Sequence, residues 1–509
     1  MKVALVSTYF DIEANGLRML SAVLRRAGHP TKQIFLPKTG DGHTSEYPPA
    51  AVSDILELCK DVELVGLTLM SNNFLTASHL TAAIKRELGL PVVWGGIHPT
   101  VRPEESIEHA DYVCVGEGEE AAVELADALS RGEDATGIQN IWAKRGDEVF
   151  RNPHRGLIED LDSLPFADYS LEDHFVLEHG RVVRMAHEHL ERFLLYRYTT
   201  STSRGCILNC SFCCHNAFRK MYGAKAGNTR RRSVGHVIGE LEQIKRHMPY
   251  VKRIVIDDDS FMDASVEYIG DFASQYKARV NLPFMVTGFI PITVTEEKTE
   301  ALVNAGLYNV RMGIQSGAQN TKRIYRRNIK DSVIVRAASI FDKFRSSIRV
   351  PNYDLILDNP WETDDDRADT LRLLQALPRP FIITFYSLTF YPGTDLYDRA
   401  KQEGLIQDDV RDIYQKDYLK VRRTYMNGLT YLFGAFRMPK TIESMLLHPR
   451  VVGMKPDFLF YPLWFLGWPA YLVVRALRFV LRGDFTRVMR WARLGMRDFR
   501  IRTEAANQA

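Results

Sequence analysis

The first ~140 residues alternate short apolar runs with amphipathic stretches. Val3–Ser7, Leu64–Met70, Val92–Trp94 and Tyr112–Val115 are brief apolar runs of the kind that form strands buried on both faces. Between them, residues 16–28 place Leu17, Leu20, Val23 and Leu24 at helical spacing and stop at Gly28. Leu75–Leu88 and Ala121–Leu129 also have a helical pattern. Strand and helix units of this length predict a doubly wound parallel sheet over residues 1–140.

Residues 141–195 lack that rhythm. They hold a proline-bounded stretch (DSLPFADYS) and a charged patch (HEHLERF), so a linker is predicted. The alternation resumes over residues 196–410. Runs at Tyr198–Ser201, Ile254–Ile256, Phe284–Val286, Val310–Gly313, Tyr353–Leu357 and Ile382–Leu388 predict a partial or full β/α barrel. Residues 411–509 are rich in aromatics and arginine and read as a mainly helical C-terminal region. The fold class predicted is therefore α/β, with a doubly wound domain, a barrel and a helical tail.

The 509 residues suffice for about three domains. A net charge of +3 gives no reason to expect a nucleic-acid partner. The N-terminal MKVALVSTYF reads as a buried strand, not a signal peptide, which makes the cytoplasm the expected location. Of six cysteines, Cys206, Cys210, Cys213 and Cys214 fall within nine residues. Clustered thiols in a reducing compartment read as metal ligands.

The C-x3-C-x2-C spacing of Cys206, Cys210 and Cys213 follows a strand. Such a loop can wrap three corners of an iron–sulfur cube and leave one iron open for a chelating substrate. A zinc site completed by Cys214 or His215 is the alternative, but zinc knuckles pair two C-x2-C units and only one occurs here. Cys214 is expected to be a packed thiol.

With Phe212 as its aromatic, the loop resembles the signature of the radical S-adenosylmethionine superfamily. The segment Val310–Gly317 with Tyr325-Arg326-Arg327 resembles the barrel strand that contacts the nucleoside, with Gln315 at the usual acidic position. Asp354–Thr363 resembles the later D-x-x-x-G-x-P-G-E-T strand and loop, with Asp358 and Trp361 where glycines are common. Tyr391-Pro-Gly-Thr-Asp395 resembles the closing P-G-T segment. The resemblance implies a 4Fe–4S cluster on Cys206, Cys210 and Cys213, and S-adenosylmethionine contacts from Phe212, Asp258, Gln315 and Ser316. It also implies a 5′-deoxyadenosyl radical that takes hydrogen from an unactivated C–H. Asp258, at the end of a barrel strand, can equally serve as a helix-start cap.

Ahead of the barrel, Val92–Thr100 and Tyr112–Glu119 resemble the cobalamin-binding domain that precedes many such barrels. That resemblance implies a cobalamin face at Gly95, Gly96, Gly116 and Glu117, with His98 as a further contact. D-x-H-x-x-G, whose histidine ligates cobalt from below, is absent.

Together these features predict a cobalamin-dependent methyltransferase acting on an unactivated carbon. The partners expected are a small hydrophobic substrate and an electron donor such as flavodoxin or ferredoxin. A cyclase of the anaerobic tetrapyrrole type and a non-catalytic corrinoid or redox sensor are the rivals. A methylthiotransferase fits less well, because Cys59 and Cys114 do not supply a second cluster's ligands. Phe458–Val474 carries no charge and is followed by regularly spaced arginines, so residues 458–495 are expected to touch the inner membrane face peripherally. A lipid, isoprenoid or tetrapyrrole-like substrate follows as an expectation.

Overall fold

The computed structural model describes residues 1–37 and 46–467. Its first sheet has nine strands: β1 (Val3–Ser7), β2 (Thr31–Phe35), β3 (Leu64–Thr68), β4 (Val92–Gly95), β5 (Tyr112–Cys114), β6 (Ile141–Arg145), β7 (Glu148–Arg151), β8 (His174–Glu178) and β9 (Arg181–Arg184). Their spatial order is β7-β6-β5-β4-β3-β1-β2-β8-β9. The strands from β5 across to β8 run parallel, while β6, β7 and β9 add antiparallel edges.

The chain leaves β1 toward β2 on one side and continues through β3, β4 and β5 on the other. The winding direction therefore reverses between β1 and β3. In open parallel sheets the crevice at the carboxyl ends beside such a reversal is where ligands bind. Alternating residues supply both cores. Val3, Leu5 and Leu64 face the helices Asn15–Arg26 and Glu119–Arg131, whereas Ala4, Val6, Val65, Leu67 and Trp94 face the helices Pro49–Leu58 and Phe74–Leu88.

The structure departs from the sequence reading in two places. Strand β2 has the polar start Thr31-Lys32-Gln33, yet all three residues are buried. Thr31 bonds Ser21 at 2.6 Å, Lys32 donates to Asp61 at 2.6 Å, and Gln33 donates to Asp168 at 2.8 Å. The second departure is the predicted linker, residues 141–195. It supplies β6 to β9 to the first sheet, because its short hairpins bury one apolar face against the existing edges.

The second sheet holds six parallel strands: β10 (Arg197–Thr200), β13 (Arg253–Ile256), β14 (Phe284–Phe289), β15 (Leu307–Gln315), β16 (Asn352–Leu357) and β17 (Ile382–Ser387). They follow chain order, with β10 and β17 as unpaired edges among the described residues, so the barrel is open. A small antiparallel ribbon, β11 (Ser203–Arg204) with β12 (Arg230–Arg231), sits beside β10's exit. Side-chain oxygens of Ser233, Ser265, Thr295 and Thr363 cap the barrel helices and fix where each begins.

The C-terminal helix Tyr425–Ala435 packs on the helix Asp364–Ala376 and on β17, with the Tyr431 ring 4.6 Å from that of Phe385. Among the described residues no helix is long and apolar enough to cross a membrane.

Candidate active site between the two sheets

A cavity of about 520 Å3 lies between the carboxyl edge of the first sheet and the mouth of the second. That volume is within the usual range for ligand sites. Its floor includes Tyr9, Thr68, Gly95, Gly96 and Gly116. Gly96 has φ +103°, and a Cβ there would sit 2.9 Å from the Leu69 carbonyl oxygen and 3.0 Å from Thr68 Oγ1. Any larger residue would be strained and would raise the floor. Gly116 backs directly onto the Tyr222 hydroxyl.

From the floor a slot runs along the sheet face under Leu17, Leu20, Leu24, Ala122 and Leu125. It is open because Gly66, in the middle of β3, has no side chain to fill it. A flat macrocycle on glycine-edged strands, with an apolar slot for an appended arm, fits this shape. The sequence reading missed Gly66. The signal was a glycine at the centre of an otherwise apolar strand.

The roof comes from the second sheet: Ser201, Arg204, Gly205, His215, Phe218, Asp257 and Asp259. Here the structure corrects the sequence reading. Asp258 does not line the cavity. It is buried and accepts hydrogen bonds from the Thr202 N–H at 2.6 Å, the Ser203 N–H at 3.3 Å, Ser203 Oγ at 2.8 Å and the Thr202 hydroxyl. These bonds clamp the segment that leads into the cysteine loop, so Asp258 acts as a positioning residue. Its neighbours Asp257 and Asp259 face the space instead, and Asp259 pairs with His215 Nε2 at 2.9 Å.

Glu117 lines the cavity, but its carboxylate is engaged by Arg204 at 3.0 Å and Arg230 at 2.8 Å. Arg204 also pairs with Glu119 at 2.5 Å. This group joins the floor loop to β11 and β12, two residues before Cys206. Burial alone would raise the Glu117 carboxyl. The Arg230 hydrogen bond and the Arg204 charge outweigh it and hold the group below its ordinary 4.5. The stabilisation is therefore complete above pH ~4.5 and is lost as pH falls through the lower folded value. Glu117→Gln is expected to cost about 1–3 kcal/mol at pH 7, between the exposed and buried limits for an ion pair. It should also flatten the fall in Tm below pH ~4.5. Thermal unfolding across pH 3–7 checks this, and parallel curves for the two proteins would refute the assignment.

His98 is the other correction. Its ring is fully buried between Phe74 and Tyr414, bonds Ser71 through Nδ1 at 3.1 Å, and does not line the cavity. Burial lowers its pKa to about 3. It belongs to the opposite core.

Cys206 and Cys210 are buried, and Cys213 immediately precedes the helix Cys214–Tyr222. Burial pushes the Cys206 thiol up to about 11. It raises Cys210 too, against the Arg327 guanidinium, whose Nη1 lies 3.6 Å from Cys210 Sγ. Thiols buried in this way ionise when a metal takes the proton's place. Among the described residues no three His, Cys, Asp or Glu side chains converge on a single-ion site. A cluster needs no such convergence, since each thiolate takes its own iron. Arg327 is mostly buried with its Nε unpartnered, which leaves a donor beside the loop for an anionic group.

Phe212 packs edge-on against Tyr325 at 4.9 Å. Gln315 sits at φ +68° at the end of β15, after the register shift that follows Gly313. Ser316 is buried and bonds Thr370 Oγ1 at 3.1 Å. None of these three lines the cavity. On the barrel strands the Arg311 Nε–H donates to Asp354 at 2.9 Å, and its Nη2 bonds the Tyr386 hydroxyl.

The family model for the B12 binding domain matches residues 1–126, and that for the Radical SAM superfamily matches residues 200–374. An uncharacterized methyltransferase of Pyrococcus horikoshii is 27% identical over 70% of this chain and 73% of its own length. The bacteriochlorophyllide d C-8(2)-methyltransferase of Chlorobaculum tepidum is 24% identical over 80% of this chain and 84% of its own. Among solved structures, the radical S-adenosylmethionine methyltransferase TsrM of Kitasatospora setae shares the fold with TM-score 0.61 and 18% identity, covering 79% of this chain and 76% of that one. The cobalamin-dependent S-adenosylmethionine radical enzyme OxsB does so with TM-score 0.63 and 15% identity, covering 96% and 75%.

Proposed function

The chain belongs to the radical S-adenosylmethionine enzymes that carry a B12-binding domain, and from that premise we propose that it methylates an unactivated carbon of a hydrophobic lipid, isoprenoid or tetrapyrrole-like substrate. Its cofactors are a 4Fe–4S cluster, S-adenosylmethionine and cobalamin. When bound, these supply one electron, a hydrogen-abstracting fragment of S-adenosylmethionine and a transferable methyl group.

The observation that carries the proposal is the shared cavity: one wall is the glycine edge of the first sheet, and the other leads into the cysteine loop. In this reading Cys206, Cys210 and Cys213 hold the cluster. Gly95, Gly96 and Gly116 would let a corrin approach the sheet, and the Leu17–Leu20–Leu24 slot would shield an appended arm from water. Arg327, beside Cys210, would supply a donor for the carboxylate of S-adenosylmethionine. Phe212, Gln315 and Ser316, which lie outside this cavity, would contact S-adenosylmethionine from the barrel side. The names of the curated relatives support methyl transfer as the reaction class. A flavodoxin or ferredoxin type carrier would deliver the electron, in a cytoplasmic setting.

The test is single turnover of the anaerobically reconstituted protein with methyl-labelled S-adenosylmethionine, a low-potential reductant and isoprenoid, lipid or tetrapyrrole acceptors. Formation of 5′-deoxyadenosine with label in an acceptor is the expected result. Formation of 5′-deoxyadenosine with an altered but unlabelled acceptor would favour ring closure or rearrangement. Failure to form 5′-deoxyadenosine from a loaded cluster would end the enzymatic reading.

A further inference from the structure

Among the described residues, the C-terminal region presents an apolar face that no other element covers. Residues 460–467 are helical. One side of this helix packs inward: Leu463 and Phe460 fit against Gly428 of the helix Tyr425–Ala435, and Gly467 meets the Tyr431 backbone. That side accounts for the packing an ordinary surface helix needs.

The opposite side should then be polar, and it is not. Phe458, Tyr461, Phe465 and Leu466 are 78%, 51%, 67% and 58% exposed. Their spacing puts them on one outward stripe. Met454 and Met445 are exposed on the segments just before it. Large aromatics grouped in this way mark a contact surface.

The sequence that follows says what kind. Apolar residues continue to Val474, and then residues 475–509 carry nine arginines, three acidic residues and no lysine, in a chain whose total charge is only +3. An aromatic and aliphatic stripe next to a dense cationic stretch matches the boundary between acyl chains and anionic headgroups. A second copy of the chain carries the same excess of arginine and would meet this stretch with like charge.

We propose that the stripe Phe458, Tyr461, Phe465 and Leu466 docks the protein on an anionic lipid surface, the positive charge of the sequence that follows selecting that partner. The aromatics enter the interface and the arginines meet the headgroups. The docking site is separate from the cofactor cavity, so it stands or falls independently of the methyl-transfer reading.

Flotation of the full-length holoenzyme with vesicles tests it. Vesicles of phosphatidylcholine containing about 30 mol% phosphatidylglycerol are compared with phosphatidylcholine alone. The expected result is at least ~10-fold stronger binding to the anionic vesicles, weakened by salt. Phe458→Ser with Phe465→Ser should weaken that binding by a further ~10-fold or more through lost apolar burial. Iron content, corrinoid content and 5′-deoxyadenosine formation should stay at the wild-type level in that variant. Equal binding to both vesicle types, or binding indifferent to the double substitution, overturns the proposal. So does a wild-type dimer that the substitutions split without any vesicle binding, which assigns the stripe to a second copy. Salt-sensitive binding to single-stranded RNA in place of vesicles overturns it as well.

Discussion

Alanine at Cys206, Cys210 or Cys213 is expected to remove the iron–sulfur cluster and lower 5′-deoxyadenosine formation by roughly 10^3-fold or more, because groups that act as a unit fail together. Alanine at Cys214 should leave both close to wild type. Each of the three thiolates would hold a different iron, so loss of one uncaps a corner of the cluster. The fold should tolerate these changes. Burial keeps the Cys206 and Cys210 thiols neutral without metal, so alanine strands no charge, and small core changes cost about 1 kcal/mol. Iron analysis and the cluster's visible absorbance after anaerobic reconstitution separate the cases. Cluster loss in Cys214→Ala with retention in any one of the other three variants would sink the ligand assignment.

Leucine at Gly66 is expected to weaken corrinoid retention by about 10- to 100-fold while sparing the cluster. The new side chain would project into the slot beneath Leu17, Leu20 and Leu125, where even a bare Cβ comes within 3.1 Å of Leu5 Cδ2. Overpacking of this kind costs about 1–3 kcal/mol, or about 10- to 100-fold in affinity. Gly66→Ala should show a much smaller loss, because the Leu5 methyl can move a few tenths of an ångström. The measurement is bound corrinoid by absorbance, alongside iron content and 5′-deoxyadenosine formed without acceptor. Undiminished corrinoid in Gly66→Leu would show that the slot has another purpose.

Patterning of single residues revealed most of the scaffold. The strands at Val3, Leu64, Val92 and Tyr112 are apolar runs and the six barrel strands are runs rich in apolar, aromatic and β-branched residues, bounded by turn residues, so period and punctuation suffice. Strand β2 escaped detection because Thr31, Lys32 and Gln33 pair with residues up to 135 positions away. No local window contains Asp168. The same limit applies to the site. The cysteine spacing is local and legible. Asp257, Asp258 and Asp259 are adjacent in sequence, yet their backbone turn sends the middle carboxylate into the protein and the outer two into the cavity. His98 follows the glycine pair in sequence, but helix geometry carries its ring to the far core. Glu117 lines the cavity, but the arginines that hold its carboxylate lie 87 and 113 residues away, beyond any local window.

Strand β8 pairs with β2 after the chain has already finished the cavity-lining strands of the first sheet. It brings His174 against Gln33, while Asp168, from the approach to β8, accepts from Ser21 and Gln33 and receives Arg18 at its backbone oxygen. The B12-binding unit is thus closed by a segment that begins beyond residue 140. A recombination event that exchanged only the first 140 residues would import an open parallel edge with buried donors and no acceptors. The heritable cassette in this chain therefore extends to about Arg184. An exchange of cofactor modules that ignored that length would be purged by misfolding before its chemistry could be selected.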